Sequence, residues 1–242
     1  MKTQKILLSL FIFTTLLSCS SNENSTENNL TNSYIKTASL DDDGNSGEPK
    51  EFIYNADNKI SKIIYGSFSI LDITYSNDIV SLIKTTNNNS GYVAEFHVTI
   101  ENNTISLTST DQIIELNFTN EYIDAFRIIY QNPTQLIWES TFTRNSDSNI
   151  NSFETSTSTS NTVYNYSNFD NKKCTTTYNS YNNDYALIFG LKPSVNNPLT
   201  AEYIYNNGNP SMIDYTLQYD DADNVIQLNQ TVIQINYEYI EL

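Results

Sequence analysis

Histidine occurs once in this chain, at His97, and cysteine twice, at Cys19 and Cys174. One histidine cannot assemble a multi-histidine metal centre and leaves little for a His-dependent nucleophile, and two cysteines give neither a disulfide framework nor a Cys-rich zinc cluster. Glycine (6) and proline (5) are scarce, and neither a Gly-rich phosphate loop nor a Gly-x-Ser-x-Gly elbow is present. The usual nucleotide-binding and hydrolase motifs are thereby excluded. Past residue 18 no apolar run approaches the roughly twenty residues a spanning helix needs. Basic residues are few as well, 12 against 28 acidic, for a net charge of −16. Such a balance repels nucleic acid and anionic head groups, so neither is an expected partner of the folded domain.

What is present begins at the N-terminus. Lys2 and Lys5 precede an apolar run from Ile6 to Leu17, the layout of an export signal. The run is about a dozen residues, short of a permanent span. Leu16-Leu17-Ser18-Cys19 resembles the lipobox of bacterial lipoproteins. That resemblance implies cleavage before Cys19 and a thioether-linked lipid on Cys19, holding the protein to a membrane through acyl chains at roughly 0.8 kcal/mol per buried CH₂. The expected division is a lipoprotein signal peptide over 1–18, a polar tether over 19–33 and an antiparallel β-sheet domain over 34–242. Loss of Lys2 and Lys5 with the signal moves the net charge from −16 to −18. Cys174, left without a partner cysteine, reads as a buried, inert thiol. The expected place is the cell envelope, lipid-anchored to the outer membrane on its periplasmic or its surface face.

The rest of the chain repeats one theme: short alternating runs rich in Tyr, Phe, Ile and Val, separated by Asn/Asp clusters. Runs 51–54 and 59–65, 71–75 and 79–83, 95–100 and 104–107, and 113–118 and 122–130 form four such pairs. The theme returns over 202–205 and 212–215, over 217–219 and 225–228, and in a last run at 234–240. Period-two runs between turn clusters predict a β-meander. Asparagine is about one residue in seven against a background led by Leu, Ala and Gly. It tolerates the left-handed conformation and can replace glycine in turns. Two stretches interrupt the rhythm: 145–161, read as a long hairpin tip or a mobile loop, and Asp184–Leu191, read as the one short helix of the domain, plugging an opening in the sheet. The fold class is therefore all-β, an antiparallel meander of about twelve to fourteen strands curled into a half-barrel or open barrel with one helical insert.

Several groupings are candidates for chemistry. Glu95, Glu115, Glu139, Glu202 and Glu238 sit in strands and could serve a glycosidase only if two shared a concave face. Each is adjacent to an apolar residue, so alternation sends them to solvent if those neighbours face the core. Asp41-Asp42-Asp43-Gly44-Asn45 and Asp220-Asp221-Ala222-Asp223-Asn224 resemble fragments of calcium loops but lack the full loop spacing and a closing Glu, and turn chemistry accounts for both. Eighteen Tyr, eleven Phe and Trp138 supply stripes that serve either as core or as a platform for a glycan or peptide.

Residues Tyr164-Asn165-Tyr166-Ser167-Asn168-Phe169-Asp170-Asn171-Lys172-Lys173, the helical insert with Asn196-Asn197-Pro198 and the run from Ala201 to Leu228 carry a further likeness. The chain resembles, over roughly 50–242, an uncharacterised Bacteroidota envelope lipoprotein domain family with a porin-like β-sheet and YD-type repeats. It departs from that pattern at Cys174. The resemblance implies a fold and a compartment and no reaction. The function expected is that of a non-catalytic, lipid-anchored envelope protein that takes a glycan or peptide on an aromatic sheet face, with no cofactor and no metal. The alternatives are a hydrolase acting on envelope or dietary polysaccharide and a structural or assembly subunit of the envelope.

Overall fold

The computed structural model describes residues 33–242 apart from 43–44, 132, 175–179, 193 and 231–232. The expected signal peptide, Cys19 and the tether lie outside the described residues, except that Ser33 opens the first strand. Strands follow in meander order: β1 Ser33–Asp42, β2 Asn45–Ser46, β3 Lys50–Tyr54, β4 Ile60–Tyr65, β5 Ser69–Ser76 and β6 Ile79–Asn87. Then come β7 Val93–Glu101, β8 Thr104–Thr108, β9 Gln112–Thr119, β10 Tyr122–Gln131, β11 Thr134–Arg144, β12 Ile150–Thr157 and β13 Asn161–Lys173. Helix α1, Ser180–Ile188, leads to β14 Asn196–Tyr205, β15 Ser211–Tyr219, β16 Val225–Gln230 and β17 Ile233–Glu241.

All strand pairings are antiparallel, and the two ends of the meander meet. Strand β1 pairs with β3 on one side and, from Ser33↔Glu241 to Asp42↔Ile233, with β17 on the other. The dipeptide β2 only extends that contact, so sixteen strands close a ring. The all-β meander with one helical insert is as the sequence suggests. The half-barrel or open form is not: the barrel is closed. The reason lies in β1, where the register shifts between Ile35 and Thr37. A bulge there breaks the period-two pattern by which a strand is recognised. Closure leaves no free sheet edge to pair with another chain.

Asparagine does the conformational work of glycine. Among the described residues eleven non-glycine positions have positive φ, and eight of them are Asn. Asn77-Asp78 and Asn102-Asn103 form two-residue hairpin turns with both φ values positive, which suits strand twist. Three five-residue turns share one plan. Asn55, Asn145 and Asp220 each accept, at Oδ1, the backbone N–H groups two and four residues on. In each, the fourth residue (Asn58, Ser148, Asp223) is left-handed.

The stretch 145–161 is not a long tip. Eight of its residues form β12, whose Ile150 and Phe153 are buried while Ser152, Thr155, Ser156 and Thr157, with Asn151 and Glu154, fill the remaining positions. Hydroxyl residues hid the alternation there.

Apolar side chains point into the ring. One cluster gathers Ile63, Ile83, Leu107, Leu116 and Phe126 from β4–β10, and a second gathers Phe153, Tyr166, Tyr215, Val225 and Leu228 from β12–β16; both include Phe142 at their margin. A ring of sixteen strands ordinarily leaves an aqueous channel. Here the described lumen is packed, and helix α1 adds Ala186 and Ile188 to the first cluster. Each fully buried Leu, Ile or Phe contributes about 1.5–3 kcal/mol. The ring of pairing and both clusters consist of residues 33–242, so the barrel is a folding unit in itself.

The helix begins four residues before the expected Asp184 start. Asp184 is no cap. It lies mid-helix, 2% exposed, and accepts Lys50 Nζ at 2.8 and 2.9 Å and the Tyr65 hydroxyl at 2.6 Å from the barrel wall. The helix ends as a Schellman motif. Gly190 has φ +67°, its N–H donates to Leu187 O, and the Leu191 N–H donates to Ala186 O.

Candidate functional site

The outer wall and one mouth of the barrel define what it can touch. Along the wall, Lys62, Asp72, Lys84 and Glu95 stand in register across β4–β7, and Glu115, Arg127 and Glu139 across β9–β11. Lys62 reaches Asp72 at 3.1 Å and Arg127 reaches Glu139 at 2.6 Å. Their sequence neighbours Ile63, Leu71, Ile83, Phe96, Leu116 and Phe126 are buried, so alternation sends the charges outward. Such surface pairs stabilise by about 0–1 kcal/mol each. Their meaning is environmental: a membrane-spanning barrel carries an apolar band on that face, where a Lys or Arg at the bilayer midplane costs about 2–4 kcal/mol.

In an antiparallel meander alternate turns share a rim. The turns at 55–59, 77–78, 145–149 and 220–224 lie on the rim where Ser33 starts β1 and where α1 is inserted between β13 and β14. This mouth holds a recess of about 590 Å³. Its floor is aliphatic, with Ile60, Val80, Ile188 and Leu191 all buried. Tyrosines from four strands form the sides, Tyr34, Tyr54, Tyr75 and Tyr239, and three of their hydroxyls donate to main-chain carbonyls: Tyr54 to Ile35 O at 2.7 Å, Tyr75 to Ile60 O at 2.8 Å and Tyr239 to Val225 O at 2.9 Å. Burial, helped by the nearby Tyr34 and Tyr239 phenols, pushes the Tyr54 phenol well above its ordinary range, and burial raises Tyr75 as well. The Tyr54 and Tyr75 hydroxyls therefore stay protonated and keep donating. Apolar lips stand free around the opening: Ile79 is 56% exposed, Ile100 45% and Leu187 37%.

Charge is confined to the recess margin. Lys59 binds Asp78 through Oδ1 at 3.1 Å and the main-chain carbonyl at 3.0 Å, and lies 5.4 Å from the Tyr75 ring centre. Lys192 pairs with Glu121 at 2.8 Å, and its main chain is bound to Glu121 and Ile123. Aliphatic floor and aromatic sides give the recess a largely apolar lining.

The five strand glutamates fall on the outside. Glu95 and Glu115 belong to the charged rows, and Glu139 pairs with Arg127. Glu202 accepts a hydrogen bond from Asn165, and Glu238 lies 3.6 Å from Lys36 in the open. His97 is exposed on β7. Cys174 is buried and borders the recess. The Asp220 turn takes its form from hydrogen bonding. Burial would raise that carboxyl, but the Asn224 side chain and the Asn224 and Ala222 N–H groups outweigh it and hold it below the usual range. In the other acidic stretch, residues 43 and 44 lie outside the described residues, while Asp41 and Asp42 belong to β1. The aromatic stripes are largely core. Phe142, Phe153, Tyr164 and Tyr203 run in register through β11–β14 with ring centres 4.9, 5.9 and 5.1 Å apart.

Sequence reasoning did not single out Tyr54, Tyr75 or Leu187. The available signal was a tyrosine ending a strand just before an Asn turn, as in Tyr54-Asn55 and Tyr75-Ser76-Asn77.

No protein-family model matches the chain, and no curated protein does. Solved structures do. A porin-like protein from Bacteroides vulgatus ATCC 8482 superposes with a TM-score of 0.57 at 14% identity, covering 86% of this chain and 100% of that one. A porin-like protein from Bacteroides uniformis ATCC 8492 gives 0.53 at 11% identity, covering 85% and 98%. The chain shares their fold.

Proposed function

We propose that this protein is a non-catalytic lipoprotein of the cell envelope, held at the outer membrane by lipid on Cys19, whose barrel stands in water and takes a ligand at the mouth nearest its tether. The observation that carries this reading is the polarity of the wall: charged rows outside, packed hydrocarbon inside. A wall of that kind leaves anchoring to another part of the chain. Leu16-Leu17-Ser18-Cys19 supplies it, and the fold shared with porin-like proteins of Bacteroides supports the envelope compartment. The family likeness read from residues 164–228 points the same way. The outward placement of Glu95, Glu115, Glu139, Glu202 and Glu238 weighs against a polysaccharide hydrolase. Growth with labelled palmitate tests the anchor: label enters the wild-type chain and is missing from Cys19→Ser. Equal labelling of both chains would sink the assignment.

A further inference from the structure

The ligand class follows from the lining of the mouth, and the inference rests on the mouth being a binding site. We infer that the recess takes one alkyl chain of an amphiphile, with the polar head left at the rim. Three of the four phenols of the described lining are spent on Ile35 O, Ile60 O and Val225 O, and the fourth, Tyr34, packs edge-on against the Tyr54 ring at 5.3 Å. A glycan seated there would bury hydroxyls against Ile60, Val80 and Leu191 without hydrogen-bond partners, which is costly. An alkyl chain needs none. The volume lies in the roughly 300–1,000 Å³ range of ligand-sized pockets.

Position adds to chemistry. The charged side chains of the described lining are paired, Lys59 with Asp78 and Lys192 with Glu121, and present both signs of charge. A zwitterionic or an acidic head can lie against such a margin, so a free fatty acid and a lysophospholipid share the relevant chemistry. Ile79, Ile100 and Leu187 extend the apolar track out to solvent, as a chain entering tail first requires. Ser33, where the expected tether joins the barrel, lies on the same rim.

The test uses residues 31–242, which contain the whole ring and both core clusters and carry no lipid of their own to compete. Parinaric acid, a fluorescent fatty acid, is titrated into this barrel, then displaced by palmitate, by lysophosphatidylcholine and by a cello-oligosaccharide. The expected result is one saturable site per barrel, displaced by one or both chain-bearing competitors and unaffected by the sugar. The double variant Ile79→Glu/Leu187→Glu alters two exposed positions, so it should melt like the parent while binding at least tenfold more weakly. Absence of saturable binding, or equal binding by a folded variant, overturns the inference. So does sedimentation showing that the lips pair two barrels and exclude the probe. Should the sugar or a peptide bind instead, and lose affinity in the variant, the mouth remains a site and only the alkyl-chain class is wrong.

Discussion

Inside the barrel, Lys50 and Tyr65 both donate to Asp184, and the Lys50 ammonium lies 5.2 Å from the Tyr65 ring centre. Removing one member of a buried ion pair strands the other, which costs about 3–5 kcal/mol. Asp184→Ala is therefore expected to destabilise the barrel by about 3 kcal/mol, at the low end because Lys50 keeps some solvent contact. The double change Lys50→Met/Asp184→Leu should recover most of that loss; urea unfolding of the three variants measures it. If Asp184→Ala unfolds like the parent, the pair does not hold the helix. None of this was legible beforehand. An aspartate before an apolar run reads as a helix start, and only the tertiary contact with β3 and β4 shows its carboxylate to be an inward anchor. The asparagine turns, by contrast, were readable, because a left-handed residue in a short turn has few alternatives to Gly, Asn and Asp.

At the scale of elements, the paired runs from β3 to β10 and from β14 to β17 were readable from alternating apolar residues, and in β5, β7, β8 and β9 the buried side chains fall two residues apart. The bulged β1 and the hydroxyl-rich β12 were not, because a bulge and a run of Ser and Thr both erase the two-residue period. Strand β1 is also the element on which closure depends. Ala38 pairs with Tyr237 on one side and Lys50 on the other, so Ala38→Pro removes a ladder donor at the seam. The expected outcome is a barrel opened between β1 and β17, with exposed edges and concentration-dependent aggregation seen by light scattering. A monodisperse Ala38→Pro barrel with native amide protection in β17 would show that the seam is dispensable.

For the molecule as a whole, a lumen filled with tyrosine makes stability depend on alkaline pH. Burial raises the phenols of Tyr54, Tyr166, Tyr185 and Tyr215. The folded state holds those protons after the unfolded chain, with tyrosines near pKa 10, begins to lose them. Their contribution is thus fully present below about pH 10 and declines as pH rises beyond it. Urea midpoints measured from pH 8 to pH 11 should be level at first and then fall, and Tyr215→Phe should soften the fall. A level profile through pH 11 would mean the phenols ionise as freely in the barrel as outside it.

Porin-like describes the path of the chain and not the solvent on each side of its wall. Sixteen strands close as they would around a pore, but apolar residues point inward and the charged rows outward. Alkaline extraction of membranes from cells making the full chain tests that arrangement most directly, with wild type and Cys19→Ser compared side by side. Wild type should stay with the membrane and Cys19→Ser should leave as a folded, soluble barrel. A Cys19→Ser chain that remained embedded would mean the wall itself lies in lipid, contradicting the account.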